Sequence, residues 1–351
     1  MYKRQLYTIV ETTVNSLKEL GAEPFIVSAM GSHGGGTEEG QREVLAGYGI
    51  TEERLGVPVV TTVDTVYLGN CANGRPVWFD RAAYEADLIV PINRVKLHTD
   101  FVGPIQSGLC KMLVIGLGNH KGCSAVHEEA PEVFADAIEE TARLILQKAP
   151  VGFGIAILEN AYDKTYAVEA VPAEHLVERE KELVQIAKGN MPSIMLDEAD
   201  VIVCGAIGKD ISGAGFDPNI LGRSSVLKQF VLHIPRYQRL VLCDVTPASH
   251  GNGIGVGLFD VITKKVAEQL DLESMYANAI ACNCLGDASV PCTVDDEETA
   301  IRVALKCCRN IDRDHPRIIR IQNTLHLGEI EVSEALLDAV RADSRMSLIE
   351  N

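Results

Sequence analysis

The segment LIVPINRVKLHTDFVGPIQSGLCKMLVIG, Leu88–Gly116, joins two apolar runs through a long polar loop. The first run, Leu88–Ile92, predicts a buried strand. The loop after it carries His98 and Lys111. Ligands of open parallel sheets bind beyond the carboxyl ends of the strands, so we expect a functional site in this loop.

Similar apolar runs recur along the chain with helical patterns between them. Strands are predicted at Pro24–Met30, Val59–Val63, Leu88–Ile92, Val151–Leu158, Val201–Gly205, Arg239–Val245 and Ile318–Ile321. Helices are predicted at Gln5–Leu20, Thr37–Tyr48, Glu132–Gln147, Ala173–Lys188, Leu258–Leu270, Glu297–Cys308 and Ser333–Ala342. Such alternation favours an α/β fold with mainly parallel sheets flanked by crossover helices.

The length of 351 residues favours two domains. The stretch KGNMPSIMLDEAD, Lys188–Asp200, carries turn-forming residues and predicts the boundary. We expect an N-terminal catalytic and cofactor-tethering domain at 1–190 and a second α/β domain at 191–320. Residues 321–351 are expected to pack back on the first domain, and the active site is expected in the cleft between the domains.

The net charge of −17 argues against nucleic acid or an anionic membrane as partner, because the sequence shows no basic patch to offset it. No apolar stretch reaches the roughly 20 residues of a membrane span, and no signal segment opens the chain. These features predict a cytoplasmic protein. Most of the ten cysteines lie in apolar runs, so reduced thiols are expected.

The loop GSHGGGTEEG, Gly31–Gly40, holds a single histidine, His33, among glycines. Glycines lower the steric cost of bringing a ligand close to the backbone, and Thr37 can cap the helix that follows. The alternative is an ordinary strand-to-helix turn with a surface histidine.

Lys111 stands between the apolar pairs Leu109–Cys110 and Met112–Leu113. Such surroundings lower the pKa of a lysine and favour a nucleophile or a covalent attachment point. The alternative is a lysine that extends its amine to water at a helix end. The chain has no GxxxxGK[ST] motif, and GNGIGVG, Gly251–Gly257, lacks the third glycine of the dinucleotide fingerprint.

The loop residues occur in a distinctive order along the chain: His33, Thr37, His98, Gly108, Lys111 and then a further histidine. This order resembles the nickel-dependent lactate racemase family. The resemblance is strongest over 22–127 and weaker over 200–257. It implies a nickel pincer nucleotide, a pyridinium mononucleotide with two sulfur arms and a metal–carbon bond, joined to a lysine through a thioamide and to one histidine through nickel.

Carried over by position, His33 and His98 resemble the two acid/base histidines and Lys111 resembles the tether. The nickel ligand is open between His127, which fits without a gap, and His120, which needs a deletion; His127 is preferred. The remaining expected cofactor contacts are Gly34, Gly35, Thr37, Lys209 and Asp210.

The family chemistry explains why two bases are needed. One imidazole takes the hydroxyl proton of a 2-hydroxy acid while hydride leaves the carbon for the pincer ring, which gives a transient 2-oxo acid. Return of hydride to the other face gives the other enantiomer. The two enantiomers present their hydroxyls on opposite sides, so two histidines with pKa near neutrality are required.

The sequence also departs from the family. Where lactate racemases have a Tyr-Gln pair and a lysine, this chain reads KDISGAGFDPNILGR. The candidate substrate contacts there are Lys209, Asp210, Asp217, Asn219 and Arg223. We therefore expect a larger polyhydroxy acid rather than lactate. The family also has a strand and a polar loop upstream of the position of Met1, so the chain is expected to be shortened.

The expected partners are a small hydroxy-acid substrate and the cofactor-synthesis enzymes, and the oligomeric state is left open. Two other functions remain. A non-catalytic ligand-binding homologue could share the fold, and a histidine-based zinc hydrolase would use zinc without a lysine adduct.

Overall fold

The computed structural model describes residues 2–227 and 229–349. The chain divides into two compact units, Met1–Asn190 and Met191–Asn351. Each unit combines helices and strands, which confirms the predicted α/β class.

The first unit carries its helices and strands in mixed order. Its helices are α1 (Tyr2–Glu19), α2 (Glu38–Gly47), α3 (Glu52–Leu55), α4 (Arg81–Tyr84), α5 (Leu109–Lys111), α6 (Asn119–His127), α7 (Phe134–Lys148) and α8 (Leu176–Asn190). Its strands are β1 (Ile26–Val27), β2 (Val59–Val60), β3 (Thr65–Asn70), β4 (Pro76–Asp80), β5 (Ile92–Arg94), β6 (Phe153–Glu159) and β7 (Thr165–Pro172).

The strands of the first unit form three small sheets. Strands β1 and β2 pair in parallel, β3 and β4 form an antiparallel hairpin, and β6 lies between parallel β5 and antiparallel β7. The sequence analysis did not predict the hairpin or β7. The Asn73–Gly74 pair between β3 and β4 is a hairpin signal in the sequence, and Gly74 adopts a φ of 87°.

Two apolar clusters hold the first unit. Val10 and Val14 of α1 pack with Leu45 of α2 and Val59 of β2. Around β5–β7, the helices contribute fully buried side chains: Leu109, Leu113, Ile138, Ile145, Leu176 and Leu183.

The second unit is built on one six-stranded sheet of order β11-β10-β9-β8-β12-β13. The strands are β8 (Val201–Cys204), β9 (Arg239–Leu242), β10 (Val261–Thr263), β11 (Cys292–Val294), β12 (Ile318–Ile321) and β13 (Glu331–Val332). Only the edge strand β13 is antiparallel to its neighbour. The helices are α9 (Pro218–Leu221), α10 (Lys264–Gln269), α11 (Leu272–Ala281), α12 (Glu297–Lys306) and α13 (Leu337–Ala342).

Both faces of this sheet are buried. Ile202 and Leu240 contribute to the apolar cluster on one face, while Val201 and Val241 pack with Ala304 of α12 on the other. The apolar residues at every position of β8 and at 240–242 of β9 are typical of parallel strands covered on both sides.

Two predictions differ from the structure. Residues 321–349 lie in the second unit, which was predicted to end at residue 320, because β12 is hydrogen-bonded to β8 and Leu336 packs in the core of the second unit. The helix predicted at Leu258–Leu270 is also wrong: its centre is β10, and only Lys264–Gln269 is helical. The β-branched run Val261–Thr263 is buried in the sheet, where such residues pack well.

Across residues 2–227 and 229–349, no helix is both long and apolar enough to cross a membrane. All ten cysteines are free thiols, as predicted.

Candidate functional site

The loop between β5 and α5, which carries His98, is folded back on itself. Lys96 and Ser107 pair as a β-bridge through two backbone hydrogen bonds, with N···O distances of 2.8 and 3.1 Å. The side-chain oxygen of Gln106 accepts the backbone N–H of His98 at 2.8 Å. These bonds bring His98 next to the helix that carries Lys111.

His98 and Lys111 are in direct contact, with 2.5 Å between Nε2 and Nζ. The backbone N–H of Asp100 donates to Nδ1 of His98 at 3.1 Å. Burial, followed by the charge of Lys111, holds the pKa of His98 well below its ordinary value. Burial and the charge of Lys96 lower the pKa of Lys111 to about 8. The pair therefore favours a neutral imidazole and an amine that deprotonates readily.

An aromatic series connects His98 to His127. The His98 ring stacks on Phe101 with 4.3 Å between ring centroids, and Phe101 packs against Phe134 at 4.9 Å. The Phe134 and His127 rings are nearly perpendicular, with 5.1 Å between ring centroids. Two imidazoles thus flank an apolar phenylalanine pair.

One ring nitrogen of His127 is hydrogen-bonded to the backbone of its own helix. Its Nδ1–H donates to the backbone carbonyl of Cys123 at 2.8 Å, which leaves the Nε2 lone pair for a ligand. Its hydrogen bond to the Cys123 thiol raises the pKa of His127, and the charge of Lys111 opposes this rise. His120 lies seven residues earlier, about 10.5 Å along the helix, with Nδ1 3.5 Å from the Ser124 hydroxyl. One metal cannot reach both histidines while α6 stays helical.

His33 is also electrostatically coupled to Lys111. Its side chain is exposed, yet desolvation of the ring, followed by the charge of Lys111, lowers the pKa of His33. The charge of Lys111 therefore lowers the pKa of His33 and His98 and opposes the rise in the pKa of His127.

The glycine loop after His33 has mainly structural contacts. Thr37 caps α2, because its hydroxyl accepts the N–H of Gly40 at 3.1 Å. A Cβ on Gly34 would lie 2.5 Å from the Gly40 carbonyl carbon, so Gly34 permits close packing. A Cβ on Gly35 would meet nothing within 4 Å, which leaves its backbone open for a ligand.

In the second unit, Lys209 is tied to neighbouring loops. Its backbone N–H donates to the Ser249 hydroxyl at 2.8 Å. Its amine donates to the carbonyl of Gly213 at 2.7 Å and to the side-chain oxygen of Asn278. These oxygen acceptors suit a charged ammonium with a structural role.

The other candidates in the second unit also make structural contacts. Asp210 accepts a hydrogen bond from the Thr246 hydroxyl. Asp217 accepts the backbone N–H of Asn219 at 2.9 Å at the start of α9. Arg223 forms an ion pair with Asp260 at 2.6 Å. The proposed roles of all these residues toward a cofactor or substrate stay predictions.

Sequence reasoning missed Glu180 of α8, which is fully buried and whose Oε2 accepts the backbone N–H of Cys110, next to Lys111, at 2.8 Å. A signal was present, because Glu180 falls on the apolar stripe of α8. The other buried positions of that stripe are Leu176, Val177, Leu183, Val184 and Ala187. A charged residue at such a position indicates a buried polar contact.

The fold and the site define an α/β protein with a lysine–histidine pair in its first unit. Residues 3–136 match the lactate racemase N-terminal domain, so this part of the chain is similar to that domain. The match ends before the second unit begins.

No curated protein matches the sequence. Among solved structures, the chain is similar to the lactate racemase apoprotein from Thermoanaerobacterium thermosaccharolyticum, with 13% identity, a TM-score of 0.47, and coverage of 87% of this chain and 78% of that one. It is also similar to a protein from Thermotoga maritima, with 14% identity, a TM-score of 0.45, and coverage of 81% and 74%.

Proposed function

We propose that this protein is a racemase or 2-epimerase of a 2-hydroxy acid that carries a nickel pincer nucleotide on Lys111. The observation that carries the proposal is the 2.5 Å contact between Lys111 and His98, within the region that matches the lactate racemase domain. A lysine with a pKa near 8 is suited to covalent attachment.

The residues present fit such a cofactor. Lys111 supplies the amine for the tether, and His127 offers Nε2 with its other ring nitrogen already bonded to a carbonyl. His127 would be the one protein ligand to nickel when the nucleotide is bound. When bound, the cofactor supplies a hydride acceptor. A zinc hydrolase would need three protein ligands, and no group of three such side chains occurs in the described part of the chain.

His33 and His98 move the protons in this proposal. A neutral His98 can accept the hydroxyl proton of one enantiomer, and its depressed pKa keeps it neutral at physiological pH. Phe101 and Asp100 fix the ring of His98. His33, with a lowered pKa and an exposed ring, would serve the other enantiomer.

The finer assignments belong to the same proposal. The substrate is a small hydroxy acid larger than lactate, since the loop at 209–223 differs from that of lactate racemases. Gly34, Gly35, Thr37, Lys209 and Asp210 remain the proposed cofactor contacts. Cofactor-synthesis enzymes are the expected partners, in the cytoplasm.

The test is intact mass and metal content of protein made together with the cofactor-synthesis enzymes. We expect a stable mass increase and about one nickel per chain, because attachment is covalent. Lys111→Ala should lose both. The matched control is Lys121→Ala, which removes an exposed lysine of α6 that lies over the Trp78 ring.

A protein that contains zinc and whose Lys111 is unmodified would overturn the proposal in favour of the hydrolase. An unmodified, metal-free protein that still binds sugar acids would favour the non-catalytic homologue.

A further inference from the structure

Glu180 is a buried carboxylate that holds the start of the helix carrying Lys111. Its side chain is fully buried, and Oε2 accepts the backbone N–H of Cys110 at 2.8 Å. Oε1 makes no hydrogen bond within the described residues. A carboxylate at a helix N-terminus is favoured by the helix dipole and by the unpaired N–H groups there.

Gly108 makes room for this carboxylate. A Cβ on Gly108 would lie 2.6 Å from both Cδ and Oε1 of Glu180. The φ of Gly108 is −178°, which any residue can adopt, so the backbone itself does not require glycine. The close approach of Glu180 is therefore the steric reason for glycine here.

A second irregular feature follows Lys111 directly. Residues Met112–Gly116 form a π-helical turn, closed by a hydrogen bond of 2.9 Å from Leu117 N–H to the Met112 carbonyl. Such turns are rare and frequently occur at functional sites. Lys111 thus lies between a buried cap and a π turn.

The cap is costly. Burial raises the pKa of Glu180 to about 7, and Oε1 has no hydrogen-bond partner in the part of the chain that the structure describes. An apolar side chain at this point of the core stripe would avoid the desolvation cost. The Glu180 carboxylate instead fixes the position at which α5 begins.

We propose that Glu180 is a positioning residue for Lys111: it fixes the turn Gly108–Lys111 so that the amine meets His98. The functional importance of Lys111 rests on the proposed function, but the contact itself does not.

The experiment uses the protein without nickel or nucleotide. An acetylating reagent modifies free amines, and peptide mass mapping follows Lys111 with Lys121 as internal reference. In the unchanged protein, half-maximal reactivity of Lys111 is expected near pH 8. Glu180→Ala and Gly108→Ala should each move this point upward by about one unit, because an amine displaced from its buried contact regains an ordinary pKa. Reactivity at pH 7 then falls roughly tenfold.

Two further variants make the result specific. Glu180→Gln keeps an oxygen acceptor for the Cys110 N–H, so it should stay near pH 8. In a protein that already carries Glu180→Ala, Gly108→Ala should shift the pH of half-maximal reactivity little further, because the added methyl no longer meets a carboxylate.

A merely structural role would lower the unfolding midpoint and leave the pH of half-maximal reactivity unchanged, and that result would overturn the proposal. If Glu180→Ala does not fold, Gly108→Ala and Glu180→Gln decide it. The outcome is distinct from the nickel test, since an unloaded protein can show the positioning effect with or without a tether.

Discussion

Lys111, in the short helix α5 after β5, and Lys209, in the loop after β8, lie in different units, and their amines have opposite surroundings. The Lys111 amine lies against an imidazole nitrogen of His98 in a desolvated setting that lowers its pKa. The Lys209 amine donates to oxygens of Gly213 and Asn278. Position after a strand therefore does not define a functional lysine; the atoms around the amine do.

The largest expected effect tests whether the Lys209 loop is a tightly packed structural region. A Cβ on Gly208 would lie 1.9 Å from the Thr246 hydroxyl and 2.6 Å from Oδ1 of Asp210. We expect Gly208→Ala to lower the free energy of unfolding of the second unit by about 3 kcal/mol, because the core of the loop cannot accept the methyl. Urea denaturation measures this.

Gly35→Ala in the first unit is the comparison. The added methyl meets nothing within 4 Å, and only the φ of 68° opposes it. A cost of about 1 kcal/mol is expected there. Equal costs at the two positions would contradict the view that the second loop is the more tightly packed.

The next effect is the change in the free energy of unfolding when each lysine is replaced by methionine, which should have opposite signs at the two positions. Lys111→Met should raise the free energy of unfolding at pH 7 by about 2 kcal/mol, because the folded protein then avoids charging a desolvated amine. Between pH 8 and 10.5 the unfolded chain binds more protons than the folded one, so the unchanged protein gains stability with pH. The advantage of Lys111→Met should disappear by about pH 10.5.

Lys209→Met is the matched variant. It removes hydrogen bonds of a charged donor and should lower the free energy of unfolding by about 1 kcal/mol at both pH 7 and pH 10. Urea denaturation at pH 7 and 10 distinguishes the two lysines. A lower free energy of unfolding in both variants at pH 7 would contradict the opposite surroundings of the two amines.

The smallest effect refines the Lys111 side of the comparison. The carboxylate of Asp100 raises the pKa of Lys111. Asp100→Asn should therefore lower that pKa below about 8, by roughly 0.3 units for an exposed charge. The pH dependence of acetylation at Lys111 measures the shift, with the exposed Asp136→Asn on α7 as control. An upward shift would show that another group controls the amine.

Much of the second unit could be predicted from its sequence. The strands predicted at 201–205 and 239–245 occur at 201–204 and 239–242, because continuous apolar runs between turn residues fit buried parallel strands. The helix predicted at 258–270 failed because a short β-branched strand and the first turns of a helix have similar apolar patterns.

The candidate site was predictable only in part. His98 and Lys111 are conspicuous residues in the sequence, but their contact depends on the bridge between Lys96 and Ser107, which no local pattern specifies. Glu180 lies 70 residues from Cys110 along the chain, so its role as a cap depends on tertiary packing. The apolar pattern of α8 indicates that Glu180 is buried, but it does not indicate which N–H the carboxylate contacts.

The position of β12 in the sheet of the second unit has a consequence for biosynthesis. This strand covers one side of β8, although 113 residues lie between Cys204 and Ile318. Until Ile318–Ile321 leaves the ribosome, the apolar strand Val201–Cys204 has an unpaired edge. Such edges can pair with other chains. The nascent protein therefore carries a site for aggregation through most of the synthesis of its second half, and the last strands to be made remove it.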